Sequence, residues 1–347
     1  MNSTLARRTA IAVSIDGTDI SDDANNYLIS LAYTDNEEDK ADDLQLSLDD
    51  REGIWLENWL DSENGTKGVE ISAKIIQKNW ESDGSDRVLD CGVFEIDSLD
   101  GSGFPAAVAI KGTSLPFSSA VRTAKHTKAW EKITLEAIAG EIADRSGMSL
   151  MYESSYNPLY DRKEQVELSD ICFLQGLSYD AGISLKVSGG IIVLFDAADY
   201  EQKPEITTIH KGDTGILNYR FGTSTNDTNY ARCHVSYTNP QTGETIEYTF
   251  EKPGADPEGQ TLKINERVAT IAEAQNLAKR RLRHKNKGET KAEFTLVGDV
   301  RLVSGVTVKV EGWGMFDGKY IISNAAHDVG GSGYRVGIKL RKVLEGY

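Results

Sequence analysis

In the last quarter of the chain, the spacing of the hydrophobic residues changes once, from a helical period to a period of two. Between Thr270 and Gly288, apolar residues recur every three or four positions, which predicts a helix over about 270–287. The helix starts with a capping-box sequence, because Thr270 and Glu273 can each satisfy an orphan backbone N–H group. The predicted apolar stripe, which would pack against a sheet, consists of Ile271, Ala274, Ala278 and Leu282.

The residues after this helix alternate between apolar and polar positions. The alternation runs through 292–296, 306–310 and 334–340, and glycine-rich sequences separate these segments. One face of each predicted strand is therefore buried and the other is wet, as in antiparallel sheets and small barrels.

A similar alternation marks the first third of the chain, at 44–48, 69–75 and 91–93. Regular strands with turns between them predict a barrel or sandwich. Residues 53–60 predict a short helical turn, with Trp55, Trp59 and Leu60 closing one end of this unit.

The middle of the chain mixes both periods. Helical spacing of Ile133, Ala137, Ile138 and Ile142 predicts a helix over 134–145 that stops at Gly147, and a second helix is predicted over 169–180. Strands are predicted at 150–152, 183–187 and 191–195. The resulting fold class is mainly β with an α+β insertion: a first β-barrel domain at 1–115, an inserted α+β domain at 116–200 and a second β-barrel domain at 201–347.

Several motifs in these segments resemble the late control protein D family of phage tail proteins. The resemblance is carried mainly by residues 90–97, 170–177 and 306–320, and it covers nearly the whole chain. This family comprises baseplate hub proteins of contractile phage tails and phage-like bacteriocins, and it is similar to the hub part of VgrG-type spike proteins. The family-motif positions, to which the resemblance gives a structural role, are Cys91, Gly92, Phe94, Trp130, Phe173, Leu174, Gly312, Trp313, Phe316, Asp317 and Gly318.

The resemblance implies a structural protein without enzymatic activity or cofactors. It implies a homotrimer in which two hub barrels per chain give six tube-like elements, so that a sixfold tail tube is adapted to a threefold central spike. The implied partners are the tail tube protein, baseplate wedge proteins and LysM-type tail proteins. The chain ends at Tyr347, just after the second predicted barrel, which implies a separate spike or puncturing protein. The expected location is the bacterial cytoplasm during assembly and then the baseplate of the particle.

The composition of the chain limits the kinds of partner that it can bind. The chain has 347 residues with 38 Lys or Arg against 54 Asp or Glu, a net charge of -16. Nucleic acid and anionic membranes repel such a protein overall, so we expect neither nucleic-acid binding nor direct membrane insertion. No stretch approaches the roughly 20 apolar residues that a membrane span needs. Three scattered cysteines give neither a metal spacing nor a disulfide framework, which is typical of a reduced cytoplasmic protein.

The charges are distributed unevenly. Residues 16–52 hold 13 acidic and 2 basic residues, whereas residues 279–291 hold seven Lys or Arg and one Glu. We interpret the acidic run as a solvated face, because residues 35–43 lack the Asp-x-Asp-x-Asp-Gly pattern of a calcium loop. The basic run lies at a helix C-terminus, where cations complement the helix dipole.

Two alternative functions remain open. A tail-associated peptidoglycan hydrolase would need two carboxylates, and a carbohydrate-binding module could use Trp130 or Trp313 as a stacking platform. The five histidines share no metal-ligand spacing. His327 and Asp328 could form an acid/base pair, but no nucleophile motif accompanies them, and a structural histidine is the better interpretation.

Overall fold

The computed structural model describes residues 6–55, 68–82, 84–115, 120–224, 228–240 and 242–347. Within these residues the chain is mainly β with a mixed α/β segment in the middle, which confirms the predicted fold class. The predicted Trp59 and Leu60 lie outside the described residues. Trp55 is fully buried and meets the Tyr27 ring edge-on, with 6.3 Å between the ring centroids.

The first unit is an antiparallel sheet with one short helix. Its strands are β1 (Arg8–Ile15), β2 (Thr18–Asp19), β3 (Leu28–Asn36), β4 (Asp43–Asp49), β5 (Glu70–Lys78), β6 (Arg87–Ser102) and β7 (Ala107–Thr113), and its helix is α1 (Ser21–Asn26). Alternate side chains of these strands form one core, as the period of two predicts.

The middle segment has a core of its own. Its elements are α2 (Ala120–Thr123), β8 (Lys125–Thr134), α3 (Leu135–Arg145), β9 (Ser149–Glu153), β10 (Leu159–Ser169), α4 (Asp170–Ala181), β11 (Ser184–Ser188), β12 (Ile191–Phe195) and α5 (Ala197–Gln202). Helices α3 and α4 are the two predicted helices. Gly147 and Gly182 follow them with φ of 68° and 65°, the left-handed conformation that ends a helix.

The last segment divides into two cores. Strands β13 (Thr208–His210), β14 (Ile216–Thr223), β18 (Thr290–Val297), β19 (Thr307–Glu311), β20 (Gly318–Gly330) and β21 (Gly333–Lys342) surround one core. Strands β15 (Arg232–Thr238), β16 (Thr245–Glu251) and β17 (Thr261–Ile264) form a small sheet that packs on α6 (Ile271–Asn286) around the other.

Strand pairing joins the first and last segments into one sheet. The pairing order is β14-β18-β21-β20-β3-β4-β7-β6-β5-β1-β2, with β19 attached to β20 and β13 attached to β19. The link is the antiparallel pair of β20 and β3, in which Asn324 faces Asn36 and Gly330 faces Ser30. The two predicted barrels therefore share a continuous sheet, and among the described residues the pairing closes neither of them into a ring of strands.

The predicted helix and its cap are present in α6. The Thr270 hydroxyl accepts from the Glu273 N–H at 3.1 Å, and the Glu273 carboxylate accepts from the Ala269 N–H at 2.8 Å, one residue before the expected partner. The stripe is wrong at its first position, because Ile271 is 63% exposed in the first turn and Leu277 is buried instead. Ala137 of α3 is likewise exposed, on the face opposite the buried Ile138 and Ile142.

Candidate functional site

Charged side chains from all parts of the chain meet between the units. We call this cluster the joint, and its members are Asp35, Glu37, Glu38, Asp42, Lys186, Glu201, Arg283, Lys287 and Arg341. They are supplied by the end of β3 and the loop after it, by β11 and α5 of the middle segment, by the end of α6 and by β21. At the joint, ion pairs thus link the first unit, the middle segment and the last segment to one another.

Arg341 lies at the centre of the joint. It is 5% exposed, and its guanidinium makes a two-pronged contact with Glu37, Nη2 to Oε1 at 2.6 Å and Nε to Oε2 at 3.2 Å. Its Nη1 donates to Glu201, which also accepts from Arg283. One buried cation on β21 therefore binds the first unit and α5 at the same time.

The buried guanidinium of Arg341 stays charged because of both carboxylates. Burial alone would lower the pKa of the guanidinium, but the charges and hydrogen bonds of Glu37 and Glu201 outweigh burial and raise the pKa above its ordinary value. A cation and two anions removed from water are stable only while they remain paired, because each desolvated charge costs several kcal/mol by itself.

Glu38 anchors α6 to the same loop. Burial would raise the pKa of Glu38, but the charge and hydrogen bond of Lys287 and the hydroxyl of Ser184 lower it to about 2. This carboxylate therefore remains ionised at any ordinary pH.

A second cation, Lys186, holds the loop after β3 to β11. Its Nζ lies 2.6 Å from Asp35 Oδ1 and 3.2 Å from Asp42 Oδ2, and it donates to the Asn36 carbonyl at 2.7 Å. Ser304 extends the contact, since its N–H donates to Asp35 Oδ2 at 2.7 Å. Burial would lower the pKa of Lys186, but the two carboxylates raise it, so the ammonium remains charged.

These contacts overturn our interpretation of the acidic run. Asp35, Glu37 and Asp42 are 5%, 3% and 1% exposed, so this part of the run is buried and paired instead of solvated. Residues of the basic run are also paired, because Arg280, Arg283 and Lys287 form ion pairs with carboxylates outside α6. The signal in the sequence was the uneven distribution of charge. It could have predicted these contacts only if the acidic run and the basic run had been interpreted as partners of each other.

The family-motif positions on β6 form a bulge in the first unit. Lys74 faces Asp90 and Ala73 faces Gly92, so Cys91 is the extra residue, and Gly92 takes a φ of 94°. Phe94 is buried against Tyr33, with 6.0 Å between ring centroids. These positions shape the sheet locally.

The motif positions of the middle segment lie in its core. Trp130 of β8 stacks on Phe173 of α4 with ring centroids 5.2 Å apart, and Leu174 is fully buried beside them. The Trp130 indole N–H donates to Glu141 at 2.8 Å. Because Trp130 is 5% exposed, it offers no flat platform to a sugar.

The remaining motif positions build the corner from β19 to β20. Gly312 and Gly318 have φ of 95° and 140°, and the Trp313 N–H donates to Asp317 Oδ1 at 2.7 Å. Phe316 stacks on Phe221 of β14, with 4.8 Å between centroids. The three groups of motif positions thus lie in three different cores, and no single site unites them.

The structure does not support an acid/base pair at 327–328. His327 is 1% exposed with its Nδ1 2.7 Å from the Tyr334 hydroxyl, whereas Asp328 is exposed on the other face of β20. Within the described ranges, no three His, Cys, Asp or Glu side chains are grouped to hold a metal ion. No helix in that same part of the chain is long and apolar enough to cross a bilayer.

Comparison with known proteins confirms the predicted resemblance to phage hub proteins. The chain is 24% identical over 189 residues to a probable baseplate hub protein of Escherichia phage 186, covering 54% of this chain and 45% of the relative. It is 25% identical over 201 residues to the probable baseplate hub protein of Escherichia phage P2, covering 56% and 48%. The chain thus spans about half the length of these curated relatives, and no family model matches it.

Solved structures share the fold over almost the entire chain. A tail protein from Neisseria meningitidis superposes with a TM-score of 0.70 at 13% identity, covering 96% of this chain and 97% of that one. A component of the type VI secretion system of Escherichia coli, described as similar to T4 bacteriophage tail proteins, gives a TM-score of 0.61 at 11% identity, covering 96% and 78%. The fold is therefore that of phage tail proteins and their secretion-system counterparts.

The joint predicts a large effect of removing its central cation. Arg341→Met leaves Glu37 and Glu201 buried without their shared partner, so we expect the free energy of unfolding to fall by about 3–5 kcal/mol. Lys339→Met is the matched control on the same strand, because Lys339 is exposed, and its effect should stay within about 0.5 kcal/mol. Urea denaturation measures both, and equal stability of the two variants would contradict the role of Arg341.

His327 predicts a loss of stability in acid. Burial lowers the pKa of His327 to about 4, whereas an unfolded histidine titrates near 6.5. The unfolded chain therefore binds the proton first, so this contribution is complete above pH 6.5 and is lost as the pH falls towards 4, by up to about 3 kcal/mol. Denaturation of wild type and His327→Gln at pH 7 and pH 4.5 tests this, and an unchanged difference between the two proteins would refute it.

Proposed function

We propose that this protein is a structural baseplate hub of a contractile phage tail or a phage-like particle. Three copies would form a ring on the axis, and the two β units of each copy would supply six elements that face the sixfold tail tube. The observation that carries the proposal is the match of fold to a tail protein over 96% of the chain, together with the curated relatives named baseplate hub proteins.

The joint supports a mechanical role for the hub. A part that connects tube and spike must keep its shape under load, and buried ion pairs between units resist their separation. Arg341, Glu37 and Glu201 connect three segments of the chain in this way. The proposed partners are the tail tube protein, a spike or puncturing protein, baseplate wedge proteins and LysM-type tail proteins, after assembly in the bacterial cytoplasm.

The proposed hub has no catalytic step. The motif tryptophan Trp130 and the histidine His327 are used in packing, and the carboxylates of the joint are used in ion pairs. The structural role therefore accounts for these conspicuous polar and aromatic side chains without a substrate.

Imaging of the intact particle tests the proposal. We expect three copies of this chain per tail, on the axis between the tube and the spike, with both β units of each copy facing the tube. Quantitative mass spectrometry of purified particles should give half as many copies as there are subunits in one sixfold ring. A position away from the axis, another copy number, or release of soluble fragments from peptidoglycan by the isolated chain would contradict the proposal.

A further inference from the structure

A cavity of about 580 Å³ lies between the middle segment and the start of α6. Residues 156–163 form one wall, residues between 266 and 277 form the other, and the end of α4 adds Asp180 and Ala181. The volume is that of a small-molecule site, for which about 300–1,000 Å³ is usual. The described residues that line the cavity include no member of the joint and no family-motif position, so the proposed structural role does not account for it.

Two tyrosine rings line the cavity, and each of them is in contact with a cation. The Arg280 guanidinium lies over Tyr156, with its Cζ 4.7 Å from the ring centroid, and the Lys163 ammonium lies over Tyr160, with its Nζ 4.9 Å from the centroid. These contacts hold the rings in position. A tyrosine side chain combines an apolar ring with a polar tip, so it can pack against the C–H groups of a sugar ring and bond to a hydroxyl group.

Carboxylates of the cavity retain capacity to accept hydrogen bonds. Asp180 Oδ1 and Glu266 Oε1 each lie 3.4 Å from a different Nη atom of Arg281, which is beyond the usual length of a hydrogen bond. Burial raises the pKa of Glu266, and the charge of Arg281 offsets this effect only in part. Because each carboxylate also has a second oxygen, hydroxyl groups of a ligand can donate to both of them.

Hydrogen-bond donors lie on the same side of the cavity. Lys163 forms no ion pair in the described part of the chain, and its charge acts on the carboxyl of Glu266. The Tyr160 hydroxyl is buried without a hydrogen-bond partner among the described residues. Neighbouring donors and acceptors suit hydroxyl groups, because a hydroxyl group both donates and accepts.

The charges that line the cavity are nearly balanced. The lining contains four carboxylates and three cations, and Arg281 pairs with two of the carboxylates. The pair of Asp161 with Arg267 joins the two walls. Such a cavity attracts neither a polyanion nor a polycation, since a strongly charged ligand needs an excess of the opposite charge.

We propose that this cavity binds a neutral oligosaccharide. The rings of Tyr156 and Tyr160 pack against the sugar, and Asp180, Glu266 and Lys163 bond to its hydroxyl groups. The inference concerns binding without cleavage. It goes beyond the proposed hub role, which does not depend on it.

Calorimetric titration of the full chain with small probes tests the inference. The sugar probes are chitotetraose, which carries acetamido groups, and maltotetraose, whose polar groups are hydroxyls and ring oxygens. We expect at least one of them to bind with a Kd below about 1 mM, and the tighter of the two distinguishes an N-acetylated glycan from a plain hexose glycan. The charged probes, trilysine and triglutamate, should bind about tenfold more weakly than that sugar or not at all.

Two variants test whether the sugar binds in this cavity. Tyr156→Ala removes one ring and should weaken sugar binding about tenfold. Glu266→Gln keeps the size of the side chain and should weaken binding about threefold, so it remains informative if circular dichroism shows that Tyr156→Ala does not fold. The matched controls Tyr219→Ala and Glu258→Gln change the same residue types at exposed positions outside the cavity and should bind like the wild type.

The outcomes separate the sugar site from the proposed function. The inference is overturned if neither sugar binds, if a charged probe binds more tightly than both sugars, or if neither Tyr156→Ala nor Glu266→Gln weakens sugar binding. None of these results changes the copy number and the axial position expected of the chain in the particle, which test the hub role.

Discussion

A buried arginine between two glutamates holds this molecule together. If Arg341 moved away from Glu37 and Glu201, three buried charges would lose their partners. This contact therefore fixes β3, α5 and β21 relative to one another. The same region contains Lys287 with Glu38, and Lys186 with Asp35. Strand pairing of β20 with β3 runs beside these contacts, so hydrogen bonds and ion pairs reinforce a single junction.

This junction explains how several small cores can act as one body. Each core is modest, and a chain of separate units joined by flexible links would bend under load. Here the first and last cores share a sheet, and the pairs of Lys186 with Asp35 and of Glu201 with Arg341 tie the middle segment to that sheet. The pair of Lys287 with Glu38 ties the end of α6 to the loop after β3. A single rigid body of this kind suits the structural role that we propose for the protein in a tail baseplate.

The sequence predicted the structural features that depend on residues close together along the chain. Period-two alternation located the strands around Phe294 and Val336, the Thr270 cap located α6, and Gly147 located the end of α3, because each of these features depends on neighbours within a few residues. The joint was not predicted from the sequence, because Glu37 and Arg341 are 304 residues apart in the chain. A buried carboxylate and a solvated one have the same local sequence, so only the fold reveals which acidic residues have partners. The same limit applies to Ile271, whose helical spacing fits the stripe although its side chain is 63% exposed in the first turn of α6.

Native-state hydrogen exchange in increasing urea tests the central claim that the joint makes one cooperative body. Amides of β3, α4 and β21 report on the first, middle and last cores. If the joint couples these cores, the slowest amides of all three elements exchange through one shared opening reaction, whose free energy equals that of global unfolding. If α4 opens in a separate reaction at a much lower free energy while β3 and β21 remain protected, the units are independent and this account is wrong.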